Sequence, residues 1–163
     1  DLLGEADEQL RSLVFELSSS TLYRMGLRDA VHELCEAMSE RYDIQFRLEG
    51  DGYAAELEEA TATVLFKAVR ELLFNVVKHA GVSEATVCLS SEEKDALLLC
   101  VKDAGKGLPK EVMQNGFSAG DGIGLFGVNE RLRDLGGTMH IESAPNVGTS
   151  VKLEVPLAAL GVL

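Results

Sequence analysis

Apolar residues recur along the chain first at three- and four-residue spacing and then at every second position, and this rhythm predicts its elements in turn. Leu3, Ala6, Leu10, Leu13 and Leu17 form a two-heptad seam, with Glu5, Asp7, Glu8 and Arg11 between its members. Two heptads are too short to pair stably alone. The seam therefore reads either as the end of a longer helix or as an amphipathic helix packed on its own domain. Ser18-Ser-Ser-Thr21 breaks the period and reads as a linker. The helical period resumes over residues 27–42, with Leu27, Ala30, Val31, Leu34, Ala37, Met38 and Tyr42 facing inward. Residues 43–49 alternate strictly, predicting a strand with one solvated face. Gly50-Asp-Gly52 is expected to turn the chain into a long helix over about 56–80, which Gly81 stops. Residues 85–90 and 96–102 flank a polar 91–95, predicting a β-hairpin whose second strand is apolar enough to be central. An irregular stretch over 108–120 follows, then a helix opening at Gly122 and stopped by Gly136-Gly137. Residues 138–143 and 149–155 give two last strands. The order ααβαββαββ predicts an α/β protein, a five-stranded mixed sheet with three core helices on one face. Its other face would meet solvent or another domain.

Within this frame the 56–80 helix is mostly apolar, with Leu65, Val69, Leu72, Leu73, Val76 and Val77 facing the core. Glu71, Asn75, Lys78 and His79 fall within an arc of about 100° on one face if the helix is regular. An acid, an amide and a cation on a buried helix are costly unless they meet a ligand or each other, although a simply wet face would also accommodate them. Asp103 ends the central strand and is followed by Gly105 and Gly107. An aspartate there can accept from an exocyclic amine while the glycines admit a flat ring close to the backbone. The same pattern also suits an ordinary strand-ending turn. Gly122-Ile-Gly124-Leu-Phe-Gly127 has the GxGxxG form of dinucleotide sites, and Glu142 lies where a ribose-binding acid would be wanted. That reading requires a strand feeding directly into the first glycine within a βαβ unit, and some 20 residues separate Val101 from Gly122. What survives is glycine-rich backbone at a helix N-terminus, which suits phosphate. No GxxxxGK[ST] run is present, so a P-loop is excluded.

Composition narrows the partners. The chain has 163 residues, 46% of them hydrophobic, enough for one sizeable core. A formal net charge of −12 disfavours nucleic acid or an anionic membrane as partner. It leaves small anionic ligands open, since these read the local field of their site. No apolar run reaches transmembrane length and no signal peptide is evident. Cys35, Cys88 and Cys100 lack metal-binding spacing. Cys88 and Cys100 could approach across the hairpin, but buried reduced thiols and a cytoplasmic location are expected.

Together these motifs carry a family resemblance. Glu71-x-x-x-Asn75-x-x-Lys78-His79-Ala80, Asp103-x-Gly105-x-Gly107, Gly122-x-Gly124-Leu125-x-Gly127 and Gly137…Gly148-Thr149 stand in an order that resembles the ATP-binding catalytic domain of bacterial two-component sensor histidine kinases. That domain lies within the wider gyrase, chaperone, kinase and mismatch-repair ATPase group. The likeness spans residues 27–157 and is nearest the short-lid subgroup that feeds response regulators of the helix-turn-helix type.

The resemblance implies a Bergerat-type two-layer α/β sandwich that binds ATP and Mg²⁺. Asn75 would ligate Mg²⁺, Glu71 would be the general base, and Lys78 and His79 would contact phosphate. Asp103 would accept from the adenine amino group, with Gly105 and Gly107 shaping the adenine wall and Thr149 assisting. Gly122, Gly124, Leu125 and Gly127 would hold the triphosphate, with residues 108–121 as the lid. The γ-phosphate would go to a histidine of a dimerisation domain outside this chain, for relay to a response regulator. None of His32, His79 and His140 lies in an acceptor-like context. Residues 1–20 are then expected to be the tail of the dimerisation helix plus a linker, and residues 21–163 the catalytic domain. Homodimerisation would belong to the full-length protein, with no nucleic acid partner and no direct membrane contact by this segment. Asn146-Val147 before Gly148, where the family more often has glycine, should alter the last turn. An anti-sigma-type serine kinase of the same fold and a non-catalytic nucleotide-binding module are the alternatives.

Overall fold

The computed structural model describes residues 2–52, 57–91, 95–118, 120 and 124–159, apart from a few side chains of the first helix and of residues 51, 52 and 159. The first helix, α1 (Leu2–Met25), is continuous, and this corrects the linker reading of residues 18–21. Serines have only moderate helix propensity, so tertiary contacts decide the matter. Thr21 is buried and its hydroxyl is hydrogen-bonded to the Glu33 carboxylate, while Leu22 is sealed in the core. Gly26, at φ +94, reverses the chain into α2 (Leu27–Tyr42), which buries Leu27, Ala30, Val31, Leu34, Cys35 and Met38 as its period predicts. The two helices form an antiparallel hairpin. At its far end the Tyr42 hydroxyl donates to Asp7 (3.2 Å). Arg11, paired with Asp7, lies 4.4 Å from the centre of the Phe74 ring. Of the heptad seam, Leu13 is exposed, and the side chains of Leu3, Leu10 and Leu17 lie outside the described residues.

Strand β1 (Gln45–Gly52) runs through the Gly50-Asp-Gly52 segment expected to be a turn, and Gly52 pairs with Ser90. Gly50 serves the strand, because a Cβ there would overlap the Leu89 carbonyl of its neighbour. Helix α3 (Glu59–Asn75) then crosses over to β2 (Glu84–Ser90), which lies parallel to β1, as a helical crossover allows. The expected start of α3 at residue 56 lies outside the described residues. β3 (Ala96–Asp103), β4 (Thr138–Ala144) and β5 (Gly148–Pro156) complete a mixed sheet of order β1-β2-β3-β5-β4 with antiparallel pairs throughout the remainder. The stretch expected to be irregular contains a short helix, α4 (Lys110–Asn115), started by Pro109, which presets the backbone for a helix start. Helix α5 (Leu125–Asp134) precedes β4.

One layer of core joins these elements. Phe46, Val87, Leu89, Leu97, Leu99, Val101, Val151, Leu153 and Val155 point from the sheet to Leu65, Phe66, Val69, Leu72 and Leu73 of α3, with α2 and α5 on either side. The α/β sandwich with helices on one sheet face is thus as expected. The alternate positions, among them Cys88, Cys100, Lys152 and His140, face away from the helices.

Candidate nucleotide site

The cleft opens where α3 changes geometry. After Asn75 the helix widens into a π turn, Val76–Ala80, closed by Gly81 in the left-handed conformation. The turn carries one more residue than an α turn, so Lys78 and His79 leave the arc computed for a regular helix. Both are exposed. His79 still lines the cleft, whereas Lys78 is not among its lining residues. Asn75 is held at the cleft wall with both Nδ2 and Oδ1 buried and without a hydrogen-bond partner among the described residues. Leaving such a group unsatisfied costs roughly 1–3 kcal/mol per polar atom, a cost that a ligand or water in the cleft would relieve. An amide oxygen of this kind is a suitable donor for a hard divalent cation, and on this test the site fits Mg²⁺.

Opposite Asn75 stands Asp103, at the end of β3. Its Oδ1 accepts from the Gly105 amide (2.9 Å), and Thr149, its cross-strand partner, also donates to the carboxylate from its main chain. Burial raises the Asp103 pKa above its ordinary value, and those two main-chain hydrogen bonds pull the other way. Between Asn75 and Asp103 the walls are apolar: Leu72, Val76, Ala80, Val101, Leu108, Leu125 and Val151. The space between these walls is narrow and opens to solvent at its mouth.

The two glycines after Asp103 act differently from expectation. A Cβ on Gly105 would collide with the Ala80 carbonyl, and one on Gly107 with the Ala144 carbonyl. Their bareness lets the loop pack against its own protein on both sides, and only Gly107 also lines the cleft. The Lys106 amide donates to the Ala80 carbonyl (3.0 Å), and the Lys106 carbonyl accepts from the Asn146 amide (2.9 Å). Asn146 itself takes the left-handed conformation (φ +60), which asparagine tolerates, so the last turn closes without the usual glycine. Thr149 is anchored by Ser143, whose hydroxyl lies 2.9 Å from Thr149 Oγ1, accepts from the Leu108 amide (2.8 Å) and donates to the Gly148 carbonyl (3.0 Å). Ser143 carries no motif spacing, and only the strand register exposes its role.

Beyond the cleft lies the start of α5. Gly124, at φ +73, precedes it, and a Cβ there would overlap the Glu71 carboxylate. Glu71 therefore sits at the N-terminal end of α5, where the helix dipole favours negative charge. Leu125 is buried and forms cleft floor, while Gly127 has the Arg131 guanidinium beside it. Gly122 lies outside the described residues. Two arginines passed unnoticed in the sequence. Burial lowers the Arg70 pKa from its ordinary value, the adjacent Glu71 carboxylate raises it, and Arg11 and Arg131 lower it further. Glu71 is thus bordered by positive charge that motif spacing did not reveal.

Residues 60–159 match the family model described as histidine kinase-, DNA gyrase B- and HSP90-like ATPase. The chain belongs to that family. Among curated relatives of this ATPase, the oxygen sensor histidine kinase NreB of Staphylococcus carnosus is 33% identical over 96% of the chain, and the sensor histidine kinase LiaS of Bacillus subtilis is 29% identical over 96%. The chain spans 44% and 41% of their lengths. In solved structures the same fold occurs in the histidine kinase domain of a blue-light-activated histidine kinase from Erythrobacter litoralis. There the TM-score is 0.71 at 21% identity, covering 92% of this chain and 74% of that one. The nucleotide-free catalytic domain of histidine kinase ThkA gives a TM-score of 0.62 at 21% identity, covering 80% and 89%. The five-stranded sheet of this ATPase is thus a shared scaffold. Among its described residues no helix is long and apolar enough to cross a membrane.

Proposed function

We propose that this chain is the Mg-ATP-binding catalytic domain of a cytoplasmic sensor histidine kinase. In this reading it transfers the γ-phosphate to a histidine of a dimerisation domain outside the chain, for relay to a response regulator. The observation that carries the reading is Asn75, whose amide is buried without a partner beside a cleft that ends in Asp103. The family match and the sensor-kinase relatives support the reaction class. Residues 1–20 would then belong to the dimerisation helix. The continuous α1 packed along α2 suits such a helix entering its catalytic domain.

The residues divide the work by position. Asp103 accepts from the exocyclic amine of adenine while the apolar walls hold the ring. Asn75 Oδ1 would hold Mg²⁺, which supplies charge neutralisation across the phosphates. The α5 end at Gly124, with Arg131 two turns on, offers amides and positive field to the triphosphate. Glu71 faces the same place and accepts the proton from, or orients, the incoming imidazole. Of the polar side chains of the π turn, His79 lines the cleft and Lys78 does not, so His79 is the one offered to the phosphates.

Isothermal titration with ATP and GTP, with and without Mg²⁺, tests this. GTP presents an oxygen acceptor to Asp103, and a desolvated unpaired carboxylate costs roughly 1–3 kcal/mol, so ATP should bind at least about tenfold tighter. Chelating Mg²⁺ should weaken binding. Equal affinities for the two nucleotides would remove Asp103 from the adenine role, and indifference to Mg²⁺ would remove Asn75 from the metal role.

A further inference from the structure

The sheet face turned away from α2, α3 and α5 carries chemistry that the nucleotide site does not use. Its strand registers line up one transverse row: Glu49 opposite Cys88, Cys88 opposite Cys100, Cys100 opposite Lys152, and Lys152 opposite His140. The two cysteines are therefore direct cross-strand partners on one face of the sheet. They line an open depression with Leu98, Lys102 and Glu142. Cys88 is half-buried and Cys100 is 9% exposed, whereas Cys35 is sealed in the core under α2. All three are free thiols. Among the described residues no three His, Cys, Asp or Glu side chains gather as they would around a metal. A pair, and not a ligand set, is what the face presents.

We propose that Cys88 and Cys100 form a reversible dithiol–disulfide site on the open face of the sheet, oxidised by small disulfides of the glutathione class. Directly opposed residues of an antiparallel pair hold their Cβ atoms about 4.5–5.5 Å apart, and a disulfide wants about 3.5–4.5 Å. The strands must draw together slightly for the bond to close, and a bond closed under strain is readily reduced. It is a switchable link, not a permanent staple.

Cys88, the more accessible thiol, reacts first. As thiolate it attacks one sulfur of the small disulfide, forms a mixed disulfide and expels one small thiolate. Cys100 then gives up its proton and displaces the second small thiolate from Cys88. The protein loses two protons and two electrons, and the small disulfide becomes two thiols. Burial pushes the Cys100 thiol up to about 12, with Lys102 opposing it, so the second step rests on the direct cross-strand pairing of the two residues and not on a ready thiolate.

The test equilibrates the whole chain in glutathione buffers of rising oxidised fraction, quenches exchange with acid, alkylates free thiols in denaturant so that Cys35 is reached, and maps the products by mass spectrometry. The expected product is lighter by two hydrogens, linked Cys88 to Cys100, alkylated only at Cys35, and fully restored by excess reduced glutathione. Cys100→Ser should stall as a Cys88–glutathione adduct, and Cys88→Ser should stay reduced. Three alkylated cysteines at every buffer ratio would overturn the proposal, as would a stable glutathione adduct on the wild-type chain. The wild-type arm decides the matter even if a serine variant fails to fold.

Discussion

The two ends of the cleft use glycine for opposite purposes. At the Asp103 end, a Cβ on Gly105, Gly107 or Gly148 would strike the main chain of Ala80, Ala144 or Asp103. Three backbone segments are pressed together there, and the glycines are what let them touch. At the other end, Gly116 and Gly120 have nothing within 4 Å, and α4 between the two ends buries none of its residues. Leu108, Val112 and Phe117 are the side chains of this stretch that reach the core. The Asp103 end is thus built to keep its shape, while the segment around α4 is held by few anchors among the described residues, the packing from which low local stability is expected.

The strongest way to break this contrast is at Glu71, on the phosphate side. With an acceptor-bearing dimerisation domain supplied in trans, Glu71→Gln should transfer phosphate about 10²–10⁴-fold more slowly while binding ATP within a few-fold of wild type. Asn75→Ala should instead lose Mg-ATP affinity itself. Transfer at the wild-type rate by Glu71→Gln would reduce that carboxylate to a charge at the end of α5, worth about 0.3–1 kcal/mol of stability.

The next largest effect belongs to the rigid end. Gly148→Ala combines main-chain overlap with a residue at φ +127, and should cost about 2–5 kcal/mol in denaturant unfolding and open the Asp103–Thr149 register. A loss under about 1 kcal/mol would show that the strands can part cheaply there. Asp103 supplies a subtler probe. Its raised pKa means that the folded protein holds this proton more tightly than the unfolded chain, so its contribution to stability is fully present below the ordinary carboxylate pKa. That contribution is lost as pH rises through the folded value. ATP affinity should run the other way, falling as pH drops through the raised value, because the protonated group no longer accepts freely. Asp103→Asn should flatten both profiles relative to wild type, and parallel profiles would exclude this carboxylate as their source. Smallest of all, Gly120→Ala should change stability by no more than about 0.5 kcal/mol, since its Cβ meets open space.

Much of this was legible in the sequence because the signals were periodic. The alternation of Val87, Leu89, Leu97, Leu99 and Val101 gave the hairpin, and the three-four spacing from Leu27 to Met38 gave α2. Misreadings occurred where a tertiary contact outvotes local pattern. Thr21 in a serine-rich run stays helical because it finds Glu33, and Gly50 continues a strand because Leu89 leaves no room for a side chain. The π turn is the most instructive case. Helical counting holds to Asn75, which lines the cleft, and fails three residues later at Lys78, which does not line it. The arginines whose fields meet at Arg70, beside Glu71, come from α1, α3 and α5, and no one-dimensional spacing could assemble them.

The hydrogen bond from the Lys106 amide to the Ala80 carbonyl makes the cleft a gauge. It ties the end of the helix that bears Asn75 to the loop that begins at Asp103, so both jaws are referenced to one point. The span between them is set by that bond and by the Asn146 amide on the Lys106 carbonyl, not by α4. A ligand that reached from Asn75 to Asp103 would be measured there as by a caliper, its length counting alongside hydrogen bonding and charge.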